Sequence, residues 1–245
     1  MTTLHTAPAE QYTREEFHKA VLAAHPKIAV FDCDGTLWSG DAGYGFMLWS
    51  IESGLVSRNV ADWVDTQYRL YRAGKVSEAE MCGEMVQMYS ELREEELRRA
   101  AAIYFRTHVE ANIFPELHKL IAGLQAAGTD IWAVSSTNNW VIEEGVQRFG
   151  IPASRVLAAT VRVANGLITS ELIDVPTDEA KAAALARMGI TQPDCVFGNS
   201  IHDEAMLKIA KHAFPVNPTP ALLQSSAEYG WTVFYPESVL KDTKV

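Results

Sequence analysis

The chain has 245 residues, 48% hydrophobic and 21% charged, which is typical of a well-packed globular unit large enough to carry a smaller inserted domain. The formal net charge of −10 disfavours nucleic-acid binding, and no apolar run approaches the roughly 20 residues that span a bilayer. Because the N-terminus also lacks the basic-then-apolar order of a secretory signal, we predict a cytoplasmic protein without nucleic-acid or membrane partners.

The first predicted elements are a helix and a buried strand. A capping box at Thr13 and Glu16 predicts the start of the helix, and Pro26 would stop it. The next run, Ile28 to Asp32, is continuously apolar until its last residue, as is typical of a strand covered on both faces. Comparable runs follow at Asp130 to Ser135, Asp194 to Asn199 and Trp231 to Tyr235.

Helical segments separate these later strands. They are Pro115 to Ala127, Trp140 to Phe149, Glu179 to Met188 and Asp203 to Lys211. Strands that alternate with helices of this length predict an α/β fold with a doubly wound parallel sheet. Within it, Asn165-Gly166 lies between two alternating runs, which predicts a β-hairpin.

One block of the chain interrupts the alternation. Residues 43–110 contain no convincing strand and several helical stretches, including Ala61 to Arg72, Glu78 to Tyr89 and Glu94 to Arg106. Such a block directly after the first strand predicts an all-helical cap over the carboxyl edge of the sheet, where open α/β sheets bind ligands. The predicted division is a core domain of residues 1–42 and 111–245 and a cap of residues 43–110.

The segment Phe-Asp-Cys-Asp-Gly-Thr-Leu, residues 31–37, contains the strongest chemical signal. Asp32 and Asp34 end an apolar strand, and Gly35 allows the chain to turn so that both carboxylates approach one ligand. A carboxylate attacks phosphorus only when a cation offsets the repulsion between anions and a proton donor serves the leaving alcohol. We therefore predict Asp32 as the nucleophile and Asp34 as the general acid and base.

The cysteines and histidines give weaker signals. Cys33, Cys82 and Cys195 form an odd set without close pairs, so neither a disulfide framework nor a CxxC zinc site is predicted. No two histidines have the HExxH spacing of a zinc site. Cys33, between the two aspartates, is expected to be a buried packing residue.

The D-x-D-G-T segment resembles the first motif of the haloacid dehalogenase superfamily of phosphohydrolases. The resemblance implies a hydroxyl at a later strand end, which Ser135 supplies, with Ser136 and Thr137 as close competitors. Backbone N–H groups after Ser135, that of Ser136 among them, would help to hold the phosphate oxygens. The resemblance also implies a lysine that compensates the charge of aspartate and phosphate, and Lys181 has the required place in the order of the family motifs along the chain.

The fourth family motif consists of two acidic residues after a buried strand. Here Asn199 and Asp203 occupy these positions, and Asn199 departs from the usual aspartate. The resemblance implies that Mg²⁺ is bound by Asp32, the backbone carbonyl of Asp34, Asn199 and Asp203. Because an amide carries no charge, we expect weaker metal binding than with two carboxylates.

The helical insertion resembles that of the subgroup containing phosphoserine phosphatase and phosphocholine or phosphoethanolamine phosphatases. In phosphoserine phosphatases a glutamate nine positions after the nucleophile helps to bind the substrate's ammonium, and Asp41 occupies that position here. We therefore expect an amino-alcohol phosphate as the substrate. Ring faces near Asp41 could hold a quaternary ammonium, although such a run is more often core; the run is Trp38, Tyr44, Phe46 and Trp49. Arg58, Arg69 and Arg72 are candidates for a substrate carboxylate or ordinary surface charges.

The expected activity is therefore that of a Mg²⁺-dependent phosphatase acting through an aspartyl-phosphate on a small phosphorylated metabolite. Two alternatives stay open. A phosphomutase would return the phosphoryl group to a sugar, and some mutases share the D-x-D-G-T segment. A phosphate-binding or regulatory protein with impaired turnover is suggested by Asn199.

Overall fold

The structure is a computed structural model that describes residues 9–242. Within this range the chain forms the strands β1 Gln11–Tyr12, β2 Ile28–Phe31, β3 Asp130–Asn138, β4 Val156–Ala164, β5 Leu167–Asp174, β6 Cys195–Gly198, β7 His212–Pro215 and β8 Val233–Phe234. Six of them form one sheet in the order β5-β4-β3-β2-β6-β7, parallel except for β5. Strands β1 and β8 pair separately and in parallel.

The α-helices flank this sheet. They are α1 Arg14–Ala23, α2 Ala42–Glu52, α3 Arg58–Arg72, α4 Glu78–Gln87, α5 Glu94–Tyr104, α6 Pro115–Ala126, α7 Asn139–Val146, α8 Glu179–Arg187, α9 Glu204–Lys208, α10 Pro220–Tyr229 and α11 Glu237–Asp242. The capping box predicted for the first helix is present, since the Thr13 side chain accepts from the Glu16 N–H and the Glu16 carboxylate accepts from the Thr13 N–H. None of the described helices is long and apolar enough to cross a membrane.

Apolar side chains from both faces of the sheet are buried, which explains the continuous apolar runs. On β2, Ala29 and Phe31 belong to the larger core cluster on one face, whereas Val30 packs into the cluster on the other face. Phe31 stacks on Phe197 of β6 with ring centroids 4.1 Å apart. A parallel sheet covered on both faces is the predicted doubly wound arrangement, and the predicted fold class is confirmed.

The predicted strands and the observed strands differ at the carboxyl-terminal part of the chain. The predicted run Trp231 to Tyr235 contains only the two-residue strand β8, which lies outside the main sheet. The edge strand β7 was not predicted, because four residues ending in Pro215 have no clear apolar pattern and a proline fits a strand only at an edge. The hairpin is confirmed: Asn165 and Gly166 have φ of +53° and +75° between β4 and β5, as a tight primed turn requires.

Residues 43–110, the block predicted to be helical, contain the four α-helices α2 to α5 followed by a π-helical turn at Phe105–Val109, and no strand. Helix α4 packs against β3, β4 and β5, so this helical insertion lies on the sheet. The loop between α4 and α5 is also tied to the hairpin by backbone hydrogen bonds. The N–H of Glu91 donates to Ile168, that of Ile168 to Leu92, and that of Glu94 to Gly166, over 2.8, 2.9 and 3.0 Å. The division into a core domain and a cap domain remains a prediction.

Candidate active site

A buried network of three charged side chains lies at the carboxyl end of the sheet. The ammonium Nζ of Lys181, on α8, donates to Asp32 Oδ1 over 2.7 Å and to Asp203 Oδ1 over 2.5 Å. Asp32 directly follows β2, and Asp203 follows β6 after a short turn. The side chains of Lys181, Asp32 and Asp203 are only 2%, 7% and 0% exposed. The structure therefore brings together residues that are 149 and 22 positions apart in the sequence.

Asp32 is held at both carboxylate oxygens. Its Oδ1 accepts from Lys181 and its Oδ2 accepts from the Thr36 hydroxyl over 2.9 Å. Burial and, after it, the charge of Asp203 raise the pKa of Asp32 to about 6, against the opposing effect of Lys181. Burial disfavours the ammonium of Lys181, but the two carboxylates outweigh it and raise the pKa of Lys181 above its ordinary value. The lysine is therefore a permanent positive charge beside Asp32.

Asp34 lies in a different environment, although only Cys33 separates it from Asp32. Its Oδ1 accepts from the Trp38 indole N–H and from the Ala42 backbone N–H, each over 2.7 Å. Burial and the nearby charge of Asp41 raise the pKa of Asp34 to about 7. This carboxyl can therefore hold or release a proton near neutral pH, as general acid–base catalysis requires. Cys33 itself is fully buried, as predicted, and burial raises the pKa of its thiol.

Three neighbouring hydroxyls at the end of β3 were candidates for the second motif. Ser135 is buried, and its Oγ accepts from the Thr137 backbone N–H over 3.1 Å. The Thr137 hydroxyl instead donates to Asp34 Oδ2 over 2.8 Å. All three of Ser135, Ser136 and Thr137 line the same cavity as the aspartates. The structure therefore adds Thr137 as a partner of Asp34, a role that the sequence left undecided.

The loop of the fourth motif is fixed by Asp203. Its Oδ2 accepts from the backbone N–H groups of Asn199 and Ser200 over 2.8 and 2.9 Å. The amide side chain of Asn199 lies against Gly35, so closely that a Cβ added at Gly35 would overlap it. Gly35 also has φ of +76°, a conformation that favours glycine. Asn199 is thereby directed to the loop of Asp32 and Asp34.

One cavity of about 200 Å³ collects these groups, which we call the catalytic cavity. Every predicted site residue except Asp203 lines it: Asp32, Asp34, Asp41, Ser135, Ser136, Lys181 and Asn199. Asp203 lies behind this wall and reaches the cavity through its contacts with Lys181 and Asn199. A larger open groove of about 1050 Å³ runs along α1 and is lined by none of the predicted residues.

The groups in the catalytic cavity that could bind a cation are carboxylate and amide oxygens, with one imidazole, that of His202. Within residues 9–242, no three histidine, cysteine, aspartate or glutamate side chains are grouped as a metal site. The cavity does hold the carboxylates of Asp32 and Asp34 and the amide of Asn199. Carboxylate, carbonyl and amide oxygens suit a hard divalent cation such as Mg²⁺. The residues present therefore fit a magnesium ion that is bound partly by uncharged oxygens.

Asp41 lines the catalytic cavity and a second cavity, and it also begins a helix. Its Oδ1 accepts from the Tyr44 backbone N–H over 2.8 Å, so it is the N-cap of α2. Burial raises the pKa of Asp41 above its ordinary value. Of the neighbouring rings, Trp38 and Phe46 are fully buried core residues, and Tyr44 alone lines a cavity.

The structure also places side chains in the site that the sequence did not single out. Glu78, in the first turn of α4, lines the catalytic cavity beside His202. The His202 Nδ1 lies 2.7 Å from Asp178 Oδ1. Two of the candidate arginines lie in different places. Arg72 lines a second cavity, whereas Arg69 forms an ion pair with Asp65 on the surface of α3.

The fold and the site together define a hydrolase-like α/β protein with a carboxylate pair at the end of its first sheet strand. The sequence model of the haloacid dehalogenase-like hydrolase family matches residues 29–208, which include all the residues of this site. The chain therefore belongs to the haloacid dehalogenase-like hydrolase family, as the sequence motifs predicted.

Individual relatives agree with this assignment. A histidinol-phosphatase from Neisseria meningitidis serogroup C (strain 8013) is 24% identical over 217 residues, covering 84% of this chain and 97% of that protein. A protein of unknown function from Bordetella pertussis Tohama I has a similar structure, with TM-score 0.75, 20% identity and coverage of 84% and 97%. A substrate-bound phosphoserine phosphatase has TM-score 0.58, 16% identity and coverage of 86% and 92%. The two relatives with a named activity are phosphatases, in agreement with the expected enzyme class.

Proposed function

We propose that this hydrolase is a phosphatase that cleaves a phosphomonoester through an aspartyl-phosphate on Asp32. The observation that carries the proposal is the unlike environments of two carboxyl groups in one cavity. Asp32 accepts a hydrogen bond from the buried ammonium of Lys181, whereas Asp34 accepts from the uncharged donors of Trp38, Ala42 and Thr137. A nucleophile and a proton donor side by side are what phosphoryl transfer to a carboxylate needs.

In the first step an Asp32 oxygen attacks phosphorus in line with the ester oxygen, and the bond between phosphorus and that oxygen breaks. Asp34 gives its proton to the departing oxygen, so that the alcohol leaves neutral. Lys181 offsets negative charge on the transferring group, and the Ser135 hydroxyl with the N–H of Ser136 would hold its oxygens. In the second step Asp34 takes a proton from water, which attacks phosphorus and releases inorganic phosphate from Asp32.

A magnesium ion would be held by Asp32, the backbone carbonyl of Asp34 and Asn199, with Asp203 as the fourth group of the proposed set. The hydrogen bonds that Asp203 accepts from Lys181 and from the Asn199 N–H also fix these two residues around the ion. When bound, the ion would supply positive charge that neutralises the phosphate oxygens. Because Asn199 is uncharged, the ion is held less tightly than by a carboxylate at that position.

The proposed substrate class is an amino-alcohol phosphate, such as phosphoserine, phosphoethanolamine or phosphocholine. The acidic side chain of Asp41 at the cavity supports a substrate with a positive group. Histidinol and phosphoserine, named in the two phosphatase relatives, both carry an amino group. A phosphomutase remains the second candidate for the same cavity, and transfer to a sugar rather than to water would identify it.

Phosphate release from p-nitrophenyl phosphate, with Mg²⁺ and with EDTA, tests this function. We expect Mg²⁺-dependent release, and we expect Asp32→Asn to lower kcat by at least about 10³-fold because the nucleophile is lost. Asp62→Asn, on the exposed face of α3, is the matched control and should leave the rate unchanged. Full activity of Asp32→Asn would refute the mechanism. An inactive wild type that still binds phosphate would instead favour the regulatory alternative.

A further inference from the structure

A second cavity of about 240 Å³ adjoins the catalytic cavity, and we call it the leaving-group cavity. The two share the lining residues Asp41, Glu78, Ser136 and Thr137. A phosphate ester whose phosphorus lies beside Asp32 would therefore place the rest of its alcohol in this second space. At about 30 Å³ for each water-sized group, the space suits a leaving group of about eight non-hydrogen atoms.

Three tyrosine rings line one part of the leaving-group cavity. Tyr44 and Tyr68 stack with ring centroids 4.7 Å apart, and Tyr71 lies 6.0 Å from Tyr68. All three rings line the cavity, together with Met81 and Met85. Aromatic faces attract a cation that has left water, and an ammonium or imidazolium fits such walls.

Glu78 is the acidic side chain that the helical insertion contributes to both cavities. Its carboxylate is 20% exposed, and its Oε2 accepts from the Tyr71 hydroxyl over 2.5 Å. The hydrogen bond to Glu78, together with burial, raises the pKa of Tyr71, so the phenol remains the donor. The same Oε2 lies 3.7 Å from Nε2 of His202, which also lines the catalytic cavity. The hydrogen bond from Tyr71 therefore orients the Glu78 carboxylate, which lines both cavities.

The charges around the leaving-group cavity are unevenly distributed. Asp41 and Glu78 supply two carboxylates where the cavities meet. One oxygen of Asp41 accepts the hydrogen bond that caps α2. Arg72 is the cation among the described lining residues, and its exposed position places it at the rim. The part of the leaving-group cavity nearest the reacting phosphorus is therefore negatively charged. This charge would strengthen the binding of a cationic alcohol group but not of a neutral or anionic one.

From this arrangement we infer that Glu78 and Asp41 together bind a positive group on the leaving alcohol within the leaving-group cavity. Glu78 is then a specificity-determining residue supplied by the helical insertion. The inference rests on the proposed phosphatase function, and it adds a second carboxylate, an aromatic enclosure and a location for the cation.

The test compares pairs of esters that share a shape and differ in charge. One pair is phosphocholine and neohexyl phosphate, in which carbon replaces the quaternary nitrogen; the other is phosphoethanolamine and propyl phosphate. We expect the wild-type enzyme to favour the cationic ester at least about 10-fold in kcat/KM in one pair or both. Glu78→Gln should reduce that ratio about 10-fold, because one of the two facing charges is lost. A folding defect affects both esters of a pair equally, so the ratio is unaffected by it.

Glu52→Gln is the matched control, since Glu52 ends α2, is exposed and lines neither cavity. It should leave the ratio unchanged. Tyr71→Phe should lower the ratio less than Glu78→Gln does, because the Glu78 carboxylate remains and loses only the hydrogen bond that orients it.

Two different failures can be told apart. If the wild type releases phosphate from p-nitrophenyl phosphate but favours the cationic ester in neither pair, the cation site is wrong and the phosphatase function stands. The same conclusion follows if Glu78→Gln keeps the wild-type ratio. If no ester is hydrolysed with Mg²⁺, the proposed function fails, and with it the inference that rests on it.

Discussion

Two walls of the same site differ in how firmly they are held. The strand-end wall, formed by Asp32, Lys181 and Asp203, is nearly inaccessible to solvent and is joined by charge-assisted hydrogen bonds. The helical wall, formed by Glu78, Tyr71 and Arg72, is partly or fully exposed and has a single short hydrogen bond between its members.

This difference separates two tasks. Groups that react must keep their geometry, so burial and mutual hydrogen bonds serve them. Groups that choose a substrate act on its outer parts, where an exposed side chain can be exchanged with little effect on folding. The comparison predicts that changes in the strand-end wall alter stability and turnover together, whereas changes in the helical wall alter selectivity.

The largest effect on stability is expected for Lys181→Met. The substitution leaves Asp32 and Asp203 as two buried carboxylates without a cation, which should lower the free energy of unfolding by about 3 kcal/mol. Urea unfolding measures it. Lys211→Met removes an exposed pair with Asp194 and should cost less than about 1 kcal/mol. Equal losses of stability in the two variants would contradict the conclusion that the buried charges of the strand-end wall matter more for stability than an exposed ion pair.

A smaller effect is expected from pH acting on Asp34 in the metal-free protein. Its pKa is about 7 in the folded chain, against an ordinary value of 3.8 that applies when unfolded. Between these values the unfolded chain has already lost the proton that the folded chain keeps, so the free energy of unfolding falls as pH rises through this window.

Asp34→Asn removes that titration. The free energy of unfolding of this variant should therefore fall less as the pH rises than that of the wild type. The difference over the window should be about 2 kcal/mol after allowance for partial solvent access. Thermal unfolding in EDTA at several pH values gives the two slopes, and Asp62→Asn serves as the exposed control. Parallel slopes for wild type and Asp34→Asn would show that the carboxyl titrates normally.

The smallest effect concerns Asn199, the uncharged residue whose backbone N–H donates to Asp203 of the strand-end wall. Asn199→Asp adds a carboxylate to the proposed metal ligands, and we expect the Mg²⁺ concentration for half-maximal activity to drop roughly 10-fold. Asn59→Asp, on exposed α3, is the charge-matched control. An unchanged Mg²⁺ requirement would place Asn199 outside the metal site, and a large gain in kcat would show that the natural residue limits turnover.

The strand-end wall and the residues beside it, Asn199 and Ser135, were largely predictable from the sequence. Asp32, Asn199 and Ser135 each follow a buried apolar run, and the carboxyl ends of parallel strands meet at one edge of a sheet. Lys181 was recognisable only by its place in the order of motifs, since a lysine in an alanine-rich helix has no local signal. The structure places it between the two buried aspartates.

The partner of Asp34 was not predictable to the same degree. Three hydroxyl residues follow one another at the end of β3, and the pairing of β3 with β4 changes register between Val134 and Asn138. Side-chain alternation therefore does not show which hydroxyl points to Asp34. Thr137 does so, and only the coordinates reveal it.

The helical wall could not be predicted. Glu78 follows Ser77, which forms a capping box with Glu80, so in the sequence it is one of several acids in a first helical turn. Whether it faces solvent or the core depends on how α4 packs against the sheet. Packing of an inserted helix is a tertiary property that local patterns do not contain.

The hydrogen bonds between the hairpin and the α4–α5 loop bear on how molecules reach the buried aspartates. A rigid swing of the entire insertion would break three backbone hydrogen bonds, each of which contributes about 1 kcal/mol net. Helix α3 packs mainly on α4 and has no comparable tie to the sheet. A displacement of residues 53–77 would leave all three of these hydrogen bonds intact, so motion of α3 costs less than a swing of the entire insertion.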